Sequence, residues 1–251
     1  MNDIIKTIIN HRSIRSYTNE PLTNEQIAAI VQSAQAASTS SFVQSYTIIG
    51  INDAEKKEKL AALAGDQAYV AKNGHFFVFC LDLHRLELAA QLEEAETKDI
   101  EAALRSTEMF MVGVIDTALA AQNAAIAAES MGLGICYIGG IRNQLDKVTE
   151  LLKTPKRVLP LFGMSVGHPE KGSDSKPRLP YMNVYHEEEY RQDEELIDQL
   201  KLYNEEISMY YANRTNGERK DRWSETMTKL LKNPKRQYMK SFLANKKIPL
   251  D

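Results

Sequence analysis

Met109–Met131 reads MFMVGVIDTALAAQNAAIAAESM and runs directly into Gly132–Gly140, GLGICYIGG. The first stretch is small and apolar on nearly every side, which suits a helix enclosed by neighbours rather than one that buries a single stripe. Asp116, Gln122, Asn123 and Glu129 interrupt it, so it reads as a buried helix of a globular core and not as a membrane span. Gly132 and Gly134 stop the helix, and Ile135–Ile138 follows as a strand. A central helix passing through glycines into a buried strand sets α and β elements side by side at the middle of the molecule.

The flanking sequence alternates in the same way. Upstream, Gln44–Ile51 (QSYTIIGI) and His75–Leu83 (HFFVFCLDL) are β-branched and aromatic runs that read as strands. Asp53 caps a charged helix to about Ala64 between them, and a further charged helical stretch spans about Leu86–Ile100 before a long helix through Ala103–Met131. At the start, isoleucines at helical spacing predict a helix over Asp3–Asn10, and Thr23 with Gln26 three residues later is a capping box opening a helix to about Ala37. Downstream, Asn143–Lys153 reads as a helix and Val158–Val166 (VLPLFGMSV) as another buried strand. From His168 the chain becomes rich in Pro, Gly, Ser and charge, as an exposed connection carrying functional side chains would be. The tail reads as two amphipathic helices, Asp193–Tyr211 and Asp221–Lys246, around the polar loop NRTNGERK.

With 251 residues and 43% hydrophobic content, a substantial core is expected. The 31 basic and 34 acidic residues leave a net charge of -3, which gives no reason to expect nucleic acid or an anionic membrane surface. Cys80 and Cys136 lie far apart in apolar runs and read as buried strand thiols of a protein in a reducing, cytoplasmic compartment. No secretory signal is evident at the N-terminus. Five histidines without metal-ligand spacing, and the lack of G-x-S-x-G, H-E-x-x-H or a P-loop, give hydrolase or metal chemistry no support.

Three cationic clusters remain: His11, Arg12, Ser13 and Arg15 directly after a helix; Lys176 and Arg178 in the proline-rich connection; Arg214, Arg219 and Lys220 in the tail loop. Each is either a phosphate-binding group or a solvated turn. GLGICYIGG offers exposed amides to a flat ligand or is simply a helix stop and bulge, and it lacks the third glycine and the strand-to-helix setting of a dinucleotide fingerprint. Ser38–Ser41 place four hydroxyls in a helix-to-strand turn, as caps or as hydrogen-bond donors to a polar ligand.

Taken in order, HRSIRSYT, AASTSSFVQ, AGDQAYV, AAESMGLGICYIGGIRN, LPLFGMSVGHP, KPRLP and RTNGERKDRWSE resemble the nitroreductase family, specifically its NADPH-dependent nitroreductase A and flavin reductase group. The resemblance covers essentially the whole chain. It implies an α+β fold with a central mixed sheet surrounded by helices, organised as a single domain with a core of about residues 1–167 and a connecting arm and helical excursion over about 168–251. It also implies a homodimer with one FMN at each end of the interface and the tail embracing the partner.

By the same resemblance His11, Ser13, Lys176 and Arg178 hold the FMN phosphate with Arg12 assisting. Arg15 reaches the N1/O2 edge of the flavin, where negative charge accumulates on reduction. Gln67 and Tyr69 contact the pyrimidine edge, and the Ile138–Gly139–Gly140 backbone approaches N5. Ser38, Thr39, Ser40 and Ser41 come from the opposite subunit, with Phe42 bordering the open face of the ring. Arg214 and Arg219 meet the NADPH 2′-phosphate. Asp66 adds a carboxylate beside Gln67, and Glu108 is either a pocket carboxylate or a helix N-terminal acid. The implied reaction is ping-pong: hydride from NADPH to the flavin, then two electrons to nitroaromatics, quinones, azo compounds or free flavin, with Arg15 and the Gly139 backbone as the catalytic groups. The alternatives are an FMN carrier or sensor with little turnover, or a flavin enzyme of the same fold with other chemistry such as reductive dehalogenation.

Overall fold

A computed structural model of the chain describes residues 1–248. In order, the elements are α1 (Asp3–Ile9), α2 (Asn24–Gln35), β1 (Tyr46–Ile51), α3 (Ala54–Leu63), α4 (Ala68–Ala71), β2 (His75–Asp82), α5 (His84–Leu92), α6 (Thr97–Leu104), α7 (Thr107–Ser130), β3 (Gly134–Ile138), α8 (Leu145–Leu152), β4 (Val158–Gly167), α9 (Tyr181–Val184), α10 (Asp193–Arg214), α11 (Trp223–Lys232) and α12 (Met239–Asn245), with short 3-10 turns at Ser40–Phe42 and Gly139–Asn143. They form two compact units, residues 1–173 together with the segment from Tyr238 onward, and residues 174–237.

The first unit is built on a four-stranded sheet in the order β1-β2-β4-β3. Every strand pairs antiparallel to its neighbour. The parallel component expected of a mixed sheet is confined, among the described residues, to the single bridge between Ser13 and Ile135. β2 is buried along its whole length, which is why HFFVFCLD is apolar without alternation. Phe76, Val78 and Cys80 face one apolar cluster, with Leu60, Ile141 and Val148, while Phe77 and Phe79 face the other, with Ile30, Ala120 and Ala124. At about 1.5–3 kcal/mol for each large side chain buried, these two layers supply most of the driving force. The register slips between Phe79 and Cys80, opposite Phe162 and Pro160. Pro160 has no N–H for a ladder, and a bulge is where a strand interior tolerates it.

α7 is long and apolar enough to span a membrane by length and composition. It instead buries Val112, Asp116, Thr117, Ala120, Ala121, Ala124, Ala125 and Ala128 in the protein and packs along α2. Its small side chains allow that close approach on several sides. It begins at Thr107, where Ser106 accepts the Met109 N–H at 3.1 Å.

Two expected helices are each divided. The charged stretch before α7 is α5 and α6, broken where Glu94 adopts a φ of 55°. The last amphipathic stretch is α11 and α12, broken at Asn233-Pro234, because proline lacks the helical donor and pushes the residue before it away from helix. After the break the chain rejoins the first unit: Leu243 and Ile248 enter the core cluster. Arg157, fully buried, pairs with Glu101, lies 3.4 Å from Glu87, and donates to the Lys247 carbonyl at 3.0 Å.

The second unit is helical. Asn204 and Ser224 exchange two hydrogen bonds at 2.8 and 3.0 Å, which tie α10 to the start of α11. Tyr203 and Trp223 sit with ring centroids 6.0 Å apart.

Candidate functional site

HRSIR leaves α1 as extended chain lying along β3. The Ile14 N–H donates to the Ile135 carbonyl at 2.8 Å, so alternate side chains point to opposite sides. Ile14 is buried, and Arg12 lines a cleft of about 450 Å³ with Lys6, Asn10 and Glu129. Ser13 and Arg15 take the other side and flank the Cys136 thiol; burial raises that thiol's pKa, while the two neighbours, Arg15 foremost, pull it back. The His11 Nδ1 is 2.7 Å from Glu129 at the end of α7, an ion-pair geometry that holds the imidazole in one orientation. In the sequence Glu129 is only a polar interruption of the central helix. Nothing in its spacing from His11, more than a hundred residues away, signals the pair.

A second series of contacts runs from Arg15 to Gly140. Its guanidinium lies 5.9 Å from the Tyr69 ring centre, within cation–π range. The Tyr69 hydroxyl donates to Gln67 Oε1 at 2.5 Å, and Gln67 Nε2 donates to the Ala64 carbonyl at 2.7 Å. Gly140 closes the chain: a Cβ there would stand 2.2 Å from the Ala64 oxygen and 2.6 Å from Gln67 Nε2, so no side chain fits. At Gly139 an added Cβ would come no nearer than 3.4 Å, to Arg142, leaving that backbone open to approach. The structure thus brings Arg15, Gln67, Tyr69, Gly139 and Gly140 into one constellation behind Ile138, the last residue of β3. Asp66, with a φ of 57°, is exposed beside it, and Glu108 is exposed in the first turn of α7, where it complements the helix N-terminus.

The loop Ser38–Ser45 is separate and unusual. Ser41, Phe42 and Gln44 all have positive φ, 46°, 57° and 54°, a conformation that costs a non-glycine residue about 1 kcal/mol or more. The cap of α2 at Ala36 is closed by backbone bonds alone. The hydroxyls of Ser38, Thr39, Ser40 and Ser41 make no hydrogen bond within the described residues, which removes helix capping as their purpose. Phe42 is 81% exposed. Beneath the loop, Asp116 of α7 is fully buried and accepts the Ser40 N–H at 2.9 Å, the Ser45 N–H at 3.1 Å and the Ser45 hydroxyl at 2.9 Å.

In the second unit, Lys176 and Arg219, far apart in sequence, meet at Tyr211. The Lys176 ammonium donates to its hydroxyl at 2.9 Å, and the Arg219 guanidinium stands 4.4 Å from its ring centre. Arg219 is also held by Asp221 at 2.7 Å. Arg178 donates to the Lys176 carbonyl at 3.1 Å. Arg214 donates only to the Tyr210 hydroxyl, at 3.1 Å, and pairs with no carboxylate among the described residues.

An extended HRSIR segment against β3 and the glycines after that strand define a candidate binding site on the α+β frame of the first unit, and the second unit carries its own cluster of cations. Residues 8–168 match the Nitroreductase family and residues 176–251 match the Nitroreductase family, C-terminal domain; the chain belongs to the nitroreductase family. It is 56% identical over 247 residues to the FMN reductase (NADPH) of Bacillus subtilis, covering 98% of both chains. Its fold matches the solved structure of B. megaterium NfrA1 with a TM-score of 0.96 at 58% identity, over 98% of this chain and 99% of that one. The NADPH:FMN oxidoreductase from Vibrio harveyi, solved with NAD+, matches with a TM-score of 0.87 at 38% identity over 98% of this chain and 99% of that one.

Proposed function

We propose that this protein is an FMN-containing oxidoreductase that oxidises NADPH and reduces small electron-poor acceptors, free flavin, nitroaromatics and quinones among them. The observation that carries the reading is the constellation of Arg15, Tyr69, Gln67 and Gly140, joined end to end by contacts around an open Gly139 backbone. Its donor set suits the group: Gln67 offers an amide to a pyrimidine edge, Arg15 a fixed charge, and Gly139 unobstructed backbone. Four hydroxyls on a strained loop, without partners among the described residues and beside an exposed aromatic, have the character of donors to a polar ligand.

FMN, when bound, supplies the redox chemistry, exchanging two electrons first with NADPH and then with the acceptor. The protein's part is placement and charge. His11, steadied by Glu129, and Ser13 would hold the phosphate, a role we propose also for Lys176 and Arg178 of the second unit, with Arg12 adding charge; several donors and local positive charge are what a phosphate dianion needs. Arg15, already held beside Tyr69, would stabilise negative charge that develops on the bound ring. No protein nucleophile takes part, in keeping with the lack of any catalytic dyad in the sequence. Arg214, without a carboxylate partner among the described residues, would meet the NADPH 2′-phosphate, and Arg219, committed to Asp221 and Tyr211, would play the lesser role.

The working form we infer is a homodimer in which Ser38–Ser41 and Phe42 of one subunit complete the cofactor site of the other. Support comes from the exposed apolar stripe Met111, Ile115 and Leu119 on α7 and from Ile4, Ile5, Ile8 and Ile9 on α1, all at least 42% exposed, a larger concentration of apolar side chains than a monomer surface usually carries. Two free, buried cysteines accord with a cytoplasmic location.

The test is anaerobic mixing of the purified yellow protein with NADPH, following flavin absorbance. Rapid bleaching, reversed by a quinone or nitroaromatic, is the expected result. A protein that takes up no FMN contradicts the reading outright, and one whose bound flavin NADPH leaves oxidised is a carrier instead.

A further inference from the structure

Asp116 belongs to no part of the site as derived from the sequence, yet it is the most completely satisfied buried carboxylate on α7. Its two oxygens accept three hydrogen bonds, all from the loop that carries the unpartnered hydroxyls: Ser40 N–H to Oδ1, and Ser45 N–H and Oγ–H to Oδ2. These anchors fall at the two ends of the segment whose Ser41, Phe42 and Gln44 lie at positive φ. A buried charge with three fixed donors is a strong tether, and a segment with three strained residues reverts to ordinary backbone unless something holds it.

We propose that Asp116 is a positioning residue that pre-shapes the Ser38–Ser45 loop for cofactor binding, so that FMN affinity is set from inside α7 by a group that never touches the flavin. The inference rests on the reading of that loop as part of an FMN site. Asp116 sits one residue from Ile115 in the exposed stripe, so the same helix both carries the apolar surface and braces the loop.

Asp116→Asn keeps the shape but not the acceptors: whichever way the amide turns, its NH2 group faces a Ser N–H. Holoenzyme diluted in steps, with free-flavin fluorescence reporting release, measures the effect. Asp116→Asn is expected to raise the FMN dissociation constant about tenfold or more, and Ser45→Ala, which removes only the hydroxyl bond, about two- to threefold. Ser41→Ala should weaken FMN less in the Asp116→Asn background than in wild type, because the loop is already displaced. Ala124→Gly, on the same helix and remote from the loop anchors, controls for stability: at an equal loss of Tm it should leave FMN affinity intact. Wild-type affinity in Asp116→Asn, weakening matched by Ala124→Gly, or strict additivity with Ser41→Ala would each overturn the proposal. If Asp116→Asn does not fold, Ser45→Ala decides, since unchanged affinity there contradicts the tether. Wild-type protein that binds no FMN defeats the functional reading itself, and this inference with it.

Discussion

Among single residues, Arg15 bears the clearest chemical expectation. Its guanidinium is held near Tyr69 and Cys136 without a carboxylate to neutralise it among the described residues, so its charge is available to a ligand. Arg15→Ala should retain FMN but lower NADPH-dependent turnover about ten- to a hundredfold, the range for removing one pre-arranged electrostatic contact; full turnover with bound flavin would exclude Arg15 from the chemistry. His75 makes a stability prediction instead. Both its ring nitrogens are buried without partners, beside Phe77 with ring centroids 4.5 Å apart, and burial, with Lys57 nearby, pushes its pKa down to about 4. A histidine depressed in the folded state contributes stability that is complete above its unfolded pKa and is lost as pH falls from about 6.5 towards 4, amounting to roughly 2–3 kcal/mol. Melting curves over that window should show Tm falling with acid, and His75→Gln should flatten the slope; an equal slope would place the acid sensitivity elsewhere. HRSIR and the glycines were legible as candidates because charge and glycine are conspicuous in a sequence. Glu129 and Asp116 were not, since a carboxylate inside an alanine-rich helix looks the same whether it faces water or a distant loop.

At the scale of elements, α7 has three faces with different tasks: alanines against α2 and the sheet, Asp116 beneath the loop, and Met111, Ile115 and Leu119 outward. The all-round apolar composition showed that the helix was enclosed. It did not separate the side enclosed by this chain from the side that carries the exposed Met111, Ile115 and Leu119. Ile115→Asp should therefore spare the fold, as its side chain is 47% exposed, but convert a dimer to monomers in sedimentation equilibrium and release FMN in parallel. A monomer that kept its flavin would show that the loop serves its own subunit. Strand positions were legible to within about two residues, because β-branched and aromatic runs announce them. The strand order was not, since antiparallel and parallel pairing depend on where the connections lead rather than on composition. The breaks at Glu94 and at Asn233-Pro234 were also passed over: one needs only a single residue at positive φ, and the other sits in a run whose charge pattern is helical on both sides.

For the molecule as a whole, the cations of the second unit fall into two groups. Lys176 and Arg219 share Tyr211, whereas Arg214 stands apart on Tyr210. Arg214→Ala should raise the KM for NADPH about tenfold, the worth of one charge-assisted phosphate contact, with NADH kinetics and flavin content unchanged; an equal effect on NADH would mean the residue does not read the 2′-phosphate. The cations of the tail loop were visible in the sequence. That the last helix of the tail returns to the first unit was not, because Leu243 and Ile248 look like any apolar residues of an amphipathic tail.

That return has a consequence for how the first unit is completed. Arg157 is sealed in the interior with acceptors drawn from Glu101 and from the carbonyl of Lys247, and the Lys246 carbonyl takes its backbone N–H at 2.9 Å. Those last acceptors follow the last strand of the sheet by a whole second unit, and a buried guanidinium without them is costly. The first unit is therefore discontinuous in sequence: its core closes only when the segment around residues 246–248, which follows the whole second unit, has joined residues 1–173.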